Sequence, residues 1–154
     1  LGVIRRDIFH QPCDVNALAT AALYHDASEI LTGDLPTPIK YHNAEIMSAY
    51  HAVEDLAVQK LLGMLPPELR ETYADVLAED KDGDIYPLVK AADKLSAYIK
   101  CIEERKAGNN EFLSAEAQTR AALEASPLPE VQYFLEHFIP AFERDLDELG
   151  AIGQ

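Results

Sequence analysis

The side chains best suited to chemistry lie in one short stretch of the chain. His25 and Asp26 are adjacent, Glu29 follows three residues later, and Asp34 belongs to the loop after them. An imidazole next to carboxylates is a donor set that borderline divalent metal ions accept, and the same groups can also move protons. This stretch is therefore where the sequence predicts a metal-binding or catalytic site.

The helical pattern places the carboxylate of Asp26 on an apolar face. With Val15 as reference and about 100° per residue, Asp26 lies near the centre of this face and Glu29 at its edge. The apolar members of the face are Ala19, Ala22, Leu23 and Ile30. A buried carboxylate is costly unless a cation, a proton or a metal ion accompanies it. The pattern does not decide among these three partners for the Asp26 carboxylate. A simple hydrogen bond between His25 and Asp26 is the plainest alternative to a metal site.

Asp93 is a further candidate carboxylate, on a helix predicted over 85–106. It falls about 140° from Leu88, away from that helix's main apolar stripe. The neighbours on its own side of the helix, most of them small or apolar, are Val89, Ser96, Ala97 and Lys100. This side could face a second helix, or Asp93 could be an exposed residue that makes i,i+4 contacts on the helix surface.

The elements that must position these groups are predicted to be helical. Asp14 is a candidate N-cap for a helix that reaches about Leu31, and Gly33, Pro36 and Pro38 then enforce a loop over 32–38. Asn43 is predicted to cap a long helix ending near Gly63, and further helices are predicted over 67–79, 85–106, 114–125 and 129–149. Without strand-like alternation, the sequence predicts an all-α, single-domain bundle of six or seven helices.

Composition narrows the class of protein. A chain of 154 residues with 48% hydrophobic side chains suits one domain with a substantial core. The net charge of −14 and the lack of a basic cluster argue against nucleic-acid binding. No apolar run approaches the length of a membrane span, so we expect a cytoplasmic protein without membrane association. Cys13 and Cys101 form no CxxC pair and are interpreted as reduced thiols.

Four strings of residues together resemble a known family over nearly the whole chain. They are His25-Asp26-Ala-Ser-Glu29-Ile-Leu-Thr-Gly-Asp34-Leu-Pro36-Thr-Pro38-Ile-Lys40, Lys90-Ala-Ala-Asp93, Tyr98-Ile-Lys-Cys-Ile-Glu-Glu and Gly108-Asn-Asn-Glu-Phe112. They resemble the bacterial 5'-deoxynucleotidases (YfbR-like) of the HD-domain phosphohydrolase superfamily. The resemblance implies an all-α HD-type bundle and a phosphohydrolase that removes the 5'-phosphate from (deoxy)nucleoside 5'-monophosphates.

The resemblance also implies roles for individual residues. The implied ligands of a divalent ion of the manganese, cobalt or zinc class are His25, Asp26 and Asp93. Glu29 is implied to position the attacking water or to accept its proton. Asp34 would hold the water or a sugar hydroxyl, and Pro36 would shape the sugar pocket. A homodimer is implied as well, for which the apolar stripe of the predicted helix over 129–149 is a candidate surface.

One ligand of the family's metal site has no counterpart in this chain. The family has an additional, earlier histidine, which would fall before Leu1, and His10 is a poor substitute because it lies in a predicted loop beside Pro12. We therefore expect one or more helices of the domain to precede Leu1.

Two other functions remain alternatives on the sequence alone. An HD-type hydrolase could act on another nucleotide, such as a guanosine polyphosphate or a dNTP. A helical scaffold without activity would follow if the first histidine were truly absent. Phosphate release measured across mono-, di- and triphosphates distinguishes the other HD-type hydrolase from a 5'-nucleotidase. A metal titration distinguishes the inactive scaffold from an enzyme.

Overall fold

The computed structural model describes residues 1–35, 43–78, 80 and 83–145, and these residues contain helices and no strand. The all-α prediction is therefore confirmed. A short π-helix, Ile4–Ile8, comes first, and a 3₁₀ turn, Pro67–Leu69, precedes α4. The α-helices are α1 Val15–Tyr24, α2 Glu29–Thr32, α3 Ala44–Met64, α4 Arg70–Leu77, α5 Tyr86–Lys106, α6 Leu113–Glu124, α7 Pro129–His137 and α8 Ile139–Glu143.

The chain divides into two compact units. One, here called the terminal unit, consists of Leu1–Leu18 and Asp82–Gln154, and the other, the middle unit, is Ala19–Lys81. No helix in the described part of the chain is long and apolar enough to cross a bilayer.

The core of the terminal unit is built on α5. Its buried apolar cluster joins Leu95, Tyr98 and Ile102 of α5 to three residues from the helices that follow: Leu123, Val131 and Ile139. The predicted stripe of α5 is confirmed, because Leu88, Leu95 and Ile102 are all buried. Each such side chain contributes about 1.5–3 kcal/mol by leaving water, so this helix is the main support of the unit.

Two sets of ion pairs fix the periphery of the terminal unit. Arg5 in the π-helix donates from Nε to Oε1 of Glu130 at 2.6 Å, and Glu130 is fully buried in the first turn of α7. A carboxylate is favoured there by the helix dipole as well as by the guanidinium. Arg105 on α5 donates to Glu116 on α6 at 3.0 Å and to Glu143 on α8 at 2.7 Å.

The middle unit has a much smaller buried interior. Among its described residues, Ala57 and Ser28 are the ones classed as buried. The prediction that Leu23 and Ile30 lie on a buried face is wrong, because they are 77% and 75% exposed. The predicted cap of α3 is confirmed, since the Asn43 side chain accepts from the backbone N–H of Ile46 at 2.8 Å.

Two predicted helices are shorter in the structure than in the sequence pattern. The helix expected from Asp14 to Leu31 starts as predicted, with Asp14 Oδ1 accepting from the N–H groups of Asn16 and Ala17, but it ends at Tyr24. The helix expected over 129–149 breaks after His137 and resumes at Ile139. Pro140 explains this break, because proline cannot donate to the preceding turn and its ring clashes with it.

Candidate active site

His25 and Asp26 lie in a tight turn directly after α1. The N–H of Ala27 donates to the carbonyl of Tyr24, and the N–H of Glu29 donates to that of Asp26, each at 2.9 Å. These i to i+3 bonds wind the chain more tightly than an α-helix and change the direction of every side chain after Tyr24. The predicted position of Asp26 at the centre of a buried face is therefore wrong, and its side chain is 51% exposed.

The ring of His25 is held in one orientation. Its Nδ1 lies 2.8 Å from the backbone carbonyl of Ala22, which can only accept, so Nδ1 carries a proton. The lone pair of a neutral ring is then on Nε2. Histidines that bind metal ions show this arrangement, with the second nitrogen donating to a carbonyl or carboxylate. The side chain is only 15% exposed, which adds to its rigidity.

The two functional atoms of the pair face each other. Nε2 of His25 lies 3.0 Å from Oδ2 of Asp26. A neutral Nε2 and an ionised carboxylate oxygen would repel at this distance unless a proton or a cation is shared between them. Adjacent ligands of an octahedral ion with bonds of about 2.1 Å are also about 3.0 Å apart. The pair therefore suits either an imidazolium–carboxylate ion pair or two ligands of one cation.

Glu29 begins the single helical turn α2. Its backbone N–H is bonded to the carbonyl of Asp26, so its side chain leaves the chain just after the turn that holds the His–Asp pair. The side chain is half-buried, and the preceding Ser28 is buried at 9% exposure. The backbone of Glu29 is thus fixed by the turn, while its side chain is only partly covered.

The loop after α2 carries Asp34. Gly33 adopts φ +70° and ψ 163°, a conformation that is essentially restricted to glycine. Asp34 follows it with an exposed side chain. Pro36, predicted to shape a sugar pocket, lies outside the described residues.

Asp93 belongs to the terminal unit. It lies in the second turn of α5 and its side chain is exposed, as the simpler of the two sequence interpretations had it. Leu88 and Val89 before it and Leu95 after it are buried, so the backbone that carries Asp93 is anchored in the core. The position of the Asp93 backbone is therefore fixed by the packing of α5.

One contact near the candidate site was not predicted. Tyr50 of α3 donates from its hydroxyl to the carbonyl of Gly33 at 3.3 Å. The available signal in the sequence was a tyrosine hydroxyl within the long helix predicted after Asn43.

Comparisons with known proteins identify the family. The family model described as "5'-deoxynucleotidase YfbR-like" matches residues 1–142. The chain belongs to this family. It is 49% identical over 151 residues to the 5'-deoxynucleotidase YfbR of Shigella flexneri serotype 5b (strain 8401), covering 97% of this chain and 76% of the relative. The corresponding protein of Escherichia coli (strain K12 / DH10B) is 48% identical over the same shares of both chains.

A solved structure shows the same fold. The HD-domain phosphohydrolase lin2634 of Listeria innocua superposes with a TM-score of 0.75 at 27% sequence identity. The match covers 92% of this chain and 69% of that one. The predicted HD-type helical fold is therefore confirmed.

Proposed function

We propose that this protein is a metal-dependent phosphohydrolase that removes the 5'-phosphate from (deoxy)nucleoside 5'-monophosphates. The observation that carries the proposal is the geometry at the His25–Asp26 motif, in a chain 49% identical to a 5'-deoxynucleotidase. The Nδ1–H of His25 is bonded to a carbonyl, as in metal-binding histidines, and its Nε2 lies close enough to Oδ2 of Asp26 for both atoms to bind one cation that assists hydrolysis.

The proposed metal ligands are His25, Asp26 and Asp93, for an ion of the manganese, cobalt or zinc class. Imidazole and carboxylate donors fit these ions, and the 3.0 Å between Nε2 and Oδ2 fits two ligands of one cation. When bound, such an ion supplies Lewis-acid stabilisation of phosphate charge and a more acidic water.

Glu29 and Asp34 are the side chains proposed to act directly on the water and the substrate. The Glu29 carboxylate is assigned to orient the attacking water and accept its proton. Its support is the position of Glu29 three residues beyond Asp26 and its half-buried side chain. The exposed Asp34 carboxylate is assigned to accept a hydrogen bond from a sugar hydroxyl or the water, and Pro36 to shape the sugar pocket.

The charge of the chain makes a bound cation necessary for substrate capture. At a net charge of −14, the protein repels a nucleoside monophosphate unless positive charge is concentrated at the site. Without a cation, we therefore expect weak substrate binding as well as no catalysis.

The remaining features of the proposal concern the whole molecule. We propose a cytoplasmic homodimer built from single-domain HD-type chains that bind no nucleic acid or membrane. The candidate dimer surface is the aromatic end of α7 and α8, where Phe134 and Phe138 stack at 4.9 Å and Phe138 is 45% exposed. Sedimentation at several concentrations tests this part separately from the chemistry.

The direct experiment measures phosphate release from a panel of nucleotides. With manganese, cobalt or zinc added, we expect release from deoxynucleoside 5'-monophosphates, little from dNTPs or guanosine polyphosphates, and none after chelation. Replacing Glu29 by Gln should lower kcat about 100- to 10,000-fold, because a general base is lost while the shape of the residue is kept.

The matched control for Glu29→Gln is Glu45→Gln, an exposed carboxylate in the first turn of α3, which should leave kcat unchanged. Preferred release from triphosphates or polyphosphates would overturn the substrate class. Chelator-insensitive release would overturn the metal dependence. No release with any of these metals would overturn the enzyme itself and favour the scaffold.

A further inference from the structure

The turn that carries Asp34 is held by hydrogen bonds. The N–H of Gly33 donates to the carbonyl of Glu29 at 2.9 Å, which closes α2. Within the described part of the chain, no atom lies within 4 Å of where a Cβ of Gly33 would stand, so no described side chain packs against that face of the turn. The conformation of Gly33, at φ +70° and ψ 163°, therefore depends on the partners of its backbone groups.

Two described side chains donate to the carbonyl of Gly33. Thr32 donates from Oγ1 at 2.9 Å, but it is the adjacent residue and moves with the turn. Tyr50 donates from its hydroxyl at 3.3 Å across a separation of 17 residues. Among the described residues, Tyr50 is thus the donor that ties this carbonyl to a different helix.

Tyr50 is itself well anchored. It lies in α3, a helix of 21 residues whose first turn is capped by Asn43, and α2 packs against α3. A phenol ring has two rotatable bonds and loses little entropy when fixed, so its hydroxyl is a stiff support.

We infer that Tyr50 is a positioning residue for substrate binding: its hydroxyl fixes the Gly33 carbonyl and so sets the direction of the Asp34 carboxylate toward the sugar of the nucleotide. This inference rests on the proposed function for the identity of the ligand. Asp34 comes directly after the fixed peptide, and a small rotation there moves its carboxylate oxygens by more than hydrogen-bond tolerance.

The test replaces Tyr50 by Phe, which removes the hydroxyl and keeps the ring. Losing one neutral hydrogen bond should raise KM for a deoxynucleoside 5'-monophosphate about 3- to 10-fold. We expect kcat to stay within about twofold of the wild-type value, because the Asp34 carboxylate binds the sugar equally in the ground state and in the transition state. Hydrogen exchange at the amide of Gly33, whose N–H donates to the Glu29 carbonyl, should accelerate by a similar factor.

The matched control is Tyr73→Phe, in the same unit. The ring of Tyr73 meets Tyr24 edge to face at 6.4 Å, and no hydrogen bond of its hydroxyl is found within the described residues. This control should alter neither KM nor the exchange of the Gly33 amide.

Each outcome decides the inference. A raised KM with faster exchange in Tyr50→Phe alone supports it. An unchanged KM in Tyr50→Phe overturns it. A fall in kcat at constant KM, or equal effects in Tyr50→Phe and Tyr73→Phe, also overturns it, because a smaller folded fraction would produce either result. If the wild-type protein releases no phosphate, the proposed function fails. The exchange data then still decide whether Tyr50 holds the turn, and unchanged exchange overturns the inference.

Discussion

The terminal and middle units are stabilised by different kinds of interaction. In the terminal unit, α5 places Leu88, Leu95 and Ile102 in a closed apolar core. In the middle unit, the described residues bury only Ala57 and Ser28, and the segments around His25, Asp26 and Asp34 are turns fixed by backbone hydrogen bonds. One unit is stabilised by area removed from water, and the other owes the shape of its candidate site to individual polar contacts.

This difference predicts which kind of substitution lowers the free energy of unfolding in each unit. In the terminal unit, free energy of unfolding should respond to cavities and unpaired charges. In the middle unit, it should respond weakly to apolar truncation and more strongly to changes in backbone conformation. Three pairs of variants test this contrast.

The largest effect on stability is expected at Arg5. Arg5→Ala leaves the fully buried Glu130 without its cation, and unpaired buried charges cost about 3–5 kcal/mol. Arg6→Ala is the control, because the neighbouring Arg6–Asp7 pair is exposed and should leave the urea midpoint unchanged. Urea unfolding measures both. Equal midpoints for the two variants would show that the buried pair contributes nothing to the terminal unit.

The next effect compares apolar truncation in the two units. Ile102→Ala removes a side chain with 0% exposure and should cost about 2–5 kcal/mol through lost burial and a residual cavity. Leu23→Ala removes one that is 77% exposed and should change the free energy of unfolding by no more than about 0.5 kcal/mol. Chemical denaturation of both variants checks the contrast, which is broken if Leu23→Ala proves as costly as Ile102→Ala.

The smallest effect concerns two glycines of the middle unit. Gly33→Ala forces a Cβ onto a residue at φ +70° and should cost about 1–3 kcal/mol. Gly63→Ala, in the last turn of α3 with open space around it, should instead stabilise by about 0.5–1 kcal/mol. Thermal unfolding separates them by sign. A stabilising Gly33→Ala would mean that the turn does not hold this conformation.

The sequence predicted the fold where helical periodicity and packing agree. The stripe of α5 and the caps at Asp14 and Asn43 were recoverable, because side-chain spacing and cap chemistry are local properties. The end of α1 at Tyr24 was not, because Ala-Leu-Tyr-His-Asp-Ala-Ser-Glu contains no glycine or proline to mark the turn. Periodicity also says which face is apolar and not what covers it, so the exposure of Leu23 and Ile30 was missed.

The candidate site followed from residue types more than from helical geometry. His25, Asp26 and Glu29 were singled out from their chemistry and spacing, whereas the helical pattern that placed Asp26 on an apolar face assumed a helix that ends at Tyr24 in the structure. The tautomer of His25 and the contact of Tyr50 with Gly33 depend on folded backbone positions, which no spacing rule supplies. Their ligand and catalytic roles stay predictions until they are measured.

The most direct measurement is a titration of manganese into the wild-type protein, His25→Ala and Asp93→Ala, read by metal binding and by phosphate release from a deoxynucleoside 5'-monophosphate. Asp84→Ala, an exposed carboxylate just before α5, is the control. The account predicts that each ligand variant loses more than about 100-fold in metal affinity and its metal-dependent turnover, with helical content retained. Wild-type manganese affinity and turnover in Asp93→Ala would contradict it.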